Sequence, residues 1–141
     1  MKIKLINNTK CPMRKGQNAG YDLFLNKDVV LKAHSTTVID TGVCLEFPDG
    51  YAGLITLRSS ASKLGLLCPR PLIDSSYRGE IHSIIYNPTD NDIEYKAGDR
   101  LSSLFIFPVY QEPIEVVETL SETDRGSAWN GSSGGVGHVI K

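Results

Sequence analysis

The stretch Thr36-Thr37-Val38-Ile39-Asp40-Thr41-Gly42-Val43-Cys44-Leu45-Glu46-Phe47-Pro48-Asp49-Gly50-Tyr51-Ala52-Gly53-Leu54-Ile55-Thr56 decides the fold. It holds three short runs rich in β-branched and apolar residues, at 36–40, 43–46 and 52–56, and Pro48-Asp49-Gly50 is turn punctuation ahead of the last. Runs this short, with no helical period, read as strands. The same grain continues outward, with candidate strands at 2–6, 21–25, 29–31, 79–86, 93–96 and 101–109. Asn87-Pro88-Thr89-Asp90 and Ala97-Gly98-Asp99 mark turns between them. Only residues 59–65, with Ala61, Lys63 and Leu64, hint at a short helical piece, and no solenoid repeat stands out. The pattern predicts an all-β sandwich or barrel.

At 141 residues the chain is long enough for one domain with a real core. A hydrophobic share of 40% and a charged share of 22% argue against disorder and against a fibrous protein. The net charge of −1 gives no global pull on nucleic acid, so phosphate binding must come from a local cluster of arginines and backbone N–H groups. No apolar run approaches membrane-spanning length and Met1-Lys2-Ile3-Lys4 lacks a signal-peptide core, so a soluble, intracellular protein is expected, cytoplasmic or, in a eukaryotic or viral setting, nuclear, with no membrane partner. Cys11, Cys44 and Cys68 are odd in number and widely spaced, which disfavours a disulfide framework and a zinc site. His34, His82 and His138 have no second ligand at metal-binding spacing.

Leu72-Ile73-Asp74-Ser75-Ser76-Tyr77-Arg78-Gly79-Glu80 sets a carboxylate at a tight turn and an aromatic three residues later. Apolar flanks and a turn-forming centre read as a hairpin presenting Asp74 and Tyr77 together. Such a pair can place a water for attack while a flat ring or sugar packs alongside. The plain alternative is an Asx-turn begun by Asp74. Arg58-Ser59-Ser60 supplies a guanidinium, two hydroxyls and consecutive N–H groups suited to phosphate oxygens, or else an ST-turn capping the helical piece. The glycine- and serine-rich stretch 126–137 around Trp129 buries little by itself; it is either a floppy tail or an arm that closes over a ligand.

Five separated segments in one order carry a resemblance. Asn18-Ala19-Gly20-Tyr21-Asp22-Leu23, Arg58-Ser59-Ser60, Ile73 to Glu80, Gly98-Asp99-Arg100-Leu101, and Arg125-Gly126 with Gly131-Ser132-Ser133-Gly134 resemble the five motifs of the trimeric dUTP nucleotidohydrolases (dUTPases). The likeness covers nearly the whole chain. It implies a jelly-roll-like distorted β-barrel over 1–124, an arm over 125–141, and a homotrimer whose active sites are shared between subunits. It implies Mg²⁺-dependent hydrolysis of dUTP to dUMP and pyrophosphate, which clears uracil from the nucleotide pool and supplies a thymidylate precursor.

Residue by residue, the resemblance implies that Asp74 holds the attacking water and the sugar 3′-hydroxyl, and that the Tyr77 ring packs on the deoxyribose and excludes a 2′-hydroxyl. Arg58, Ser59 and Ser60 would meet phosphate oxygens. Arg125 would reach the terminal phosphate as the arm closes, with Gly131 and Ser132 wrapping it. Mg²⁺ would sit on the phosphates among waters with no direct protein ligand, Asp22 either orienting one such water or merely beginning a strand. Asp99 and Arg100 are expected to tie neighbouring elements together, and His82 to edge the base pocket or lie on the surface.

Four departures from the motifs stand out. Ser60 replaces a glycine. Ser103 stands where the family has a phosphate-side glutamine, and its shorter chain reaches only through water. The loop 66–73 is short, and Pro69 and Pro71 cannot donate, leaving the backbone around Leu72 and Ile73 to read uracil. Asn130 aligns with a base-stacking phenylalanine that Trp129 can replace if the arm shifts register. Two other readings remain: a non-enzymatic binding or regulatory relative, and a dCTP deaminase, which needs a glutamate on the strand after the Asp turn, where this chain has Ile84 and Ile85.

Overall fold

The computed structural model describes residues 1–129, 134, 135, 137, 139 and 140. Among them the strands are β1 (Lys2–Leu5), β2 (Tyr21–Phe24), β3 (Val29–Leu31), β4 (Ser35–Asp40), β5 (Val43–Glu46), β6 (Tyr51–Leu57), β7 (Leu72–Asp74), β8 (His82–Asn87), β9 (Ile93–Tyr95) and β10 (Arg100–Pro108). One helical turn, α1 (Ser59–Ser62), lies between β6 and β7. All pairings are antiparallel and build four small sheets, β1-β5, β2-β10-β6-β7, β3-β9 and β4-β8. The chain is all-β, as its strand and turn grain predicts, and forms the jelly-roll-like distorted barrel that the resemblance implies.

β10 is the spine. It pairs with β2 on one side and β6 on the other, so Ser103 stands opposite both Asp22 and Thr56. Two apolar clusters fill the barrel. Val43, Leu45, Ile55, Ile73, Ile81 and Leu104 form the first, beneath the Asp74 turn. Leu31, Ile39, Ala61, Leu66, Ile85 and Leu101 form the second, beneath α1. Each fully buried Leu or Ile contributes roughly 1.5–3 kcal/mol. Ala61 has no exposed surface, so any larger side chain there would overpack the seat of α1.

The expected hairpin around Asp74 is not what forms. β7 pairs with β6, Asp74 opposite Ala52, whereas β8 pairs with β4, His82 opposite Asp40. Residues 79–81 are not a strand; their backbone bonds are divided between a nearby side chain and the distant start of β5. The Tyr77 hydroxyl donates to the Glu80 carbonyl at 2.8 Å, and the Ile81 N–H donates to the Val43 carbonyl at 2.8 Å. The Asp74 turn is therefore a crossing between two sheets.

The chain divides into Met1–Gln111 and Glu112–Lys141. Residues 112–124 carry no strand, and Ile114, Val116 and Leu120 are exposed.

Candidate functional site

Two of the barrel's cavities carry the motif residues; β6 contributes to both, and they share no lining residue. Successive β6 side chains point to opposite faces, so Ile55 lines one and Thr56 the other. The first, of about 270 Å³, is lined by Leu72, Ile73, Asp74, Tyr77, Glu80 and His82 among others. The second, of about 630 Å³, is lined by Asp22, Arg58, Ser59, Ser60, Ser103 and Phe105 among others.

In the smaller cavity the turn is closed by backbone, the Tyr77 N–H donating to the Asp74 carbonyl at 3.1 Å. The Asp74 carboxylate takes no part, which removes the Asx-turn reading. It is exposed, and among the described residues no hydrogen-bond donor reaches it. Tyr77 is held at the hydroxyl end of its side chain. Its hydroxyl is held by the Glu80 carbonyl, and its ring folds over Gly79, where an added Cβ would lie 2.6 Å from the ring carbon bearing that hydroxyl. This is the physical reason for the Gly79 in the Tyr-Arg-Gly run.

His82 lines this cavity, with Nδ1 3.1 Å from Asp40 Oδ1 on the paired strand β4. β7 is the edge of its sheet, and β8 pairs on one side with β4 alone apart from the Leu67–Tyr86 bridge. Two strand edges with unpaired backbone groups thus border the cavity. β8 offers no carboxylate: after His82 come Ser83, Ile84 and Ile85, and Ile85 is fully buried.

The larger cavity is organised around Asp22. Its Oδ1 accepts from Arg58 Nε at 3.1 Å and from Ser103 Oγ at 3.0 Å, and its Oδ2 accepts from Arg100 Nη1 at 3.0 Å. Arg58 Nη1 also donates to the Arg100 carbonyl at 3.3 Å. One carboxylate against two guanidiniums leaves a net positive charge, which favours an anion. Arg100 ties β10 to β2 as expected, while Asp99 closes its own turn by accepting the Lys96 N–H at 2.8 Å.

α1 begins where Arg58 leaves the strand with extended backbone, and the Ala61 and Ser62 N–H groups return to the Arg58 carbonyl at 3.0 and 3.1 Å. The N–H groups of Ser59 and Ser60, in its first turn, have no intrahelical acceptor. At the cavity edge the Phe105 ring lies over Gly20, where an added Cβ would meet it at 2.7 Å.

Neither cavity supplies a seat for a divalent cation. Among the described residues no three His, Cys, Asp or Glu side chains converge, and the Asp22 oxygens are already engaged by three donors. This donor set does not fit a metal ion held by the protein.

In the arm, Arg125 Nε donates to the Ala128 carbonyl at 3.1 Å, the Ala128 N–H returns to the Arg125 carbonyl at 3.1 Å, and Trp129 is exposed. Asn130, Gly131 and Ser132 lie outside the described residues.

Glu80, Gly79 and Asp40 were not legible as site residues. The signal for Gly79 was its place two residues after a site tyrosine; for Glu80 and Asp40 there was none, since their partners lie 38 and 42 residues away.

The chain thus sets an exposed carboxylate beside a tyrosine ring, with a cationic cavity across the same strand. Residues 2–134 match the dUTPase family. The chain belongs to the dUTPase family of enzymes. It is 38% identical over 133 residues to the deoxyuridine 5′-triphosphate nucleotidohydrolase of Paramecium bursaria Chlorella virus 1, covering 93% of this chain and 94% of that one. It is similar in structure to a mutant of the Staphylococcus bacteriophage 80alpha dUTPase solved with dUpNHpp, with a TM-score of 0.86, 29% identity and coverage of 94% and 97%. A mutant dUTPase from phage phi11 of S. aureus, described with a structural Mg(II) ion, has a TM-score of 0.80 at 27% identity, over 86% of this chain and 98% of that one.

Proposed function

We propose that this protein hydrolyses dUTP to dUMP and pyrophosphate, and that it does so as a homotrimer in which each site joins the Asp74 cavity of one chain to the Asp22 cavity of another. The observation that carries the reading is the Asp74 carboxylate, left without a protein donor among the described residues and set beside the pinned Tyr77 ring. The bond broken is the one between the α-phosphorus and the oxygen bridging to the β-phosphate. A water held by Asp74 attacks that phosphorus and gives up its proton to the carboxylate or to solvent, and pyrophosphate leaves.

The deoxyribose packs on Tyr77, and the base enters between the free edges of β7 and β8. There Leu72 and Ile73 present backbone groups, and the His82 ring borders the pocket. The triphosphate lies against the Arg58-Ser59-Ser60 turn with the Asp22–Ser103 pair behind it, the net positive charge drawing it in. Since the Asp74 and Asp22 cavities of one chain open on different faces of β6, a site that uses both needs a second copy.

Mg²⁺, when bound, neutralises phosphate charge, and triphosphate oxygens and water hold it. The arm, through Arg125, Trp129, Asn130, Gly131 and Ser132, covers the nucleotide. The activity feeds dUMP toward thymidylate in a soluble, cytoplasmic pool. A deaminase lacks support because β8 carries no carboxylate at the cavity.

Pyrophosphate release from dUTP, dCTP, dTTP and UTP tests the reading. The expected order puts dUTP first, with the cytosine nucleotide losing about 1–3 kcal/mol for each buried polar group left unpaired. Equal specificity constants for dUTP and dCTP would withdraw the uracil assignment, and release of ammonia from dCTP would replace hydrolysis by deamination.

A further inference from the structure

A third cavity, of about 530 Å³, takes neither the sugar nor the phosphates in the proposed reading. It is lined by Arg14, Gln17, Tyr21, Phe47, Tyr51 and Ile106 among others, and it opens onto the first apolar cluster, against which Tyr21 and Ile106 pack. Tyr21 and Asp22 are successive residues of β2 and point to opposite faces. This cavity and the Asp22 cavity therefore lie on opposite faces of β2, and they meet at Asn18 and Ala19, which line both. Arg14 is held at the wall: its Nη1 donates to the Gly16 and Asn18 carbonyls at 2.9 and 3.2 Å, and its guanidinium carbon stands 6.0 Å from the centre of the Tyr21 ring. A cation and aromatic rings over an apolar floor suit one more aromatic side chain, and the side-chain amides of Gln17 and Asn18 offer acceptors for a ring N–H.

Trp129 is the only Phe, Tyr or Trp after residue 111, and it is 82% exposed. The bond from the Ala128 N–H to the Arg125 carbonyl closes a turn. A turn brings its end residues within about 7 Å, so the Trp129 backbone stands roughly 11 Å or less from that of Arg125. With Arg125 at the terminal phosphate in the Asp22 cavity, that reach takes in the adjoining cavity, whereas the base lies beyond the triphosphate and the sugar. We infer that Trp129, carried by the arm of another copy, docks in this cavity: its indole packs between Tyr51 and the Arg14–Tyr21 pair and latches the arm through protein contacts, not by stacking on the base. The inference rests on the proposed shared site and on Arg125 meeting the terminal phosphate there. The exposed Ile114, Val116 and Leu120 offer Arg14 no ring face.

Trp129 is the chain's single tryptophan, so its emission reports its own surroundings. The test titrates the full-length protein with dUpNHpp, reading emission for wild type and Tyr51→Ala, and affinity by calorimetry for these, Trp129→Ala and the double variant. Tyr51 is 43% exposed and belongs to neither apolar cluster, so its truncation spares the core. Wild-type emission moves to the blue on binding, and Tyr51→Ala removes the shift. Each single variant weakens dUpNHpp about tenfold, and the double variant no further, because both remove one contact. A shift that survives in Tyr51→Ala, or losses that add in the double variant, places the indole elsewhere, as on the base, and overturns the inference. So does a wild type that binds dUpNHpp with its emission unmoved, the outcome if the barrel of another copy fills the cavity. Should Tyr51→Ala fail to melt cooperatively, Arg14→Ala is read in its place by the same criteria. A wild type that does not bind dUpNHpp overturns instead the nucleotide reading itself.

Discussion

The two cavities flanking β6 treat their charges in opposite ways. Around Asp22 each group is spent on a neighbour: two arginines and a serine converge on one carboxylate whose side chain is only 20% exposed. Around Asp74 the fold spends its hydrogen bonds on backbone and on the tyrosine, and leaves the carboxylate to solvent. A group fully engaged inside the protein cannot take up a water without breaking what it already makes. The difference separates a scaffold from a reagent: the Asp22 hub shapes and charges a receiving surface, and Asp74 is free to meet what arrives.

The largest effect that would break this contrast comes from Asp74→Asn. The amide has the same shape but takes no proton and orients water poorly, so turnover drops about 10²- to 10⁴-fold. Among the described residues no fold contact depends on that carboxylate, so the melting temperature stays at wild type and dUMP still binds. Steady-state kinetics with a melt decide it; more than about a tenth of the wild-type rate removes Asp74 from its role.

Asp22→Ala is expected to do the reverse, acting first on stability. It leaves the Arg58 and Arg100 guanidiniums facing each other without their shared carboxylate and orphans Ser103, a loss of about 2–4 kcal/mol. Chemical denaturation should show the midpoint falling with an unchanged slope. Nucleotide binding weakens as a consequence, because Arg58 loses its fixed orientation. Full stability in this variant would mean that the hub is not a scaffold, and the contrast would collapse.

How far the sequence disclosed these two regions depended on the range of each contact. Strand grain is local, so β3 and β5 could be read from alternation and β-branched content without any partner. The motif residues Asp74, Tyr77, Arg58, Ser59 and Ser60 were legible as positions because the chemistry each can do is intrinsic. What Asp22 does was not legible, since its donors stand 36, 78 and 81 residues away and only the β2-β10-β6 order brings them together. The hairpin misreading has the same root: residues 79–81 look extended, but the Tyr77 hydroxyl and the start of β5 divide that backbone through contacts no periodicity reveals. Ser103 shows both sides, for its place in β10 was evident, whereas its bond to Asp22 follows from a cross-strand register.

The smallest effects should come from the rim, where exposed carboxylates test whether it is burial that makes the Asp22 hub firm. Asp92 is held below the usual aspartate range, first by its hydrogen bond from Lys32 and then by the Ala33 N–H. Asp28 is lowered first by the Ala97 N–H and then by Lys96. A folded-state pKa below the unfolded one means stabilisation that is present above the ordinary value of 3.8 and lost as pH falls through the folded value. Asp92→Asn and Asp28→Asn should therefore each lower the melting temperature slightly near neutral pH and not at all in acid below both values. Salt separates the two. It screens the exposed Lys32 partner, so the Asp92 effect shrinks at high ionic strength, whereas the Asp28 effect, led by a backbone N–H, largely persists. Melting curves at low and high salt decide between them. Equal salt sensitivity at both positions would mean that the lysines dominate each site, and the backbone bond at Ala97 would lose its leading place.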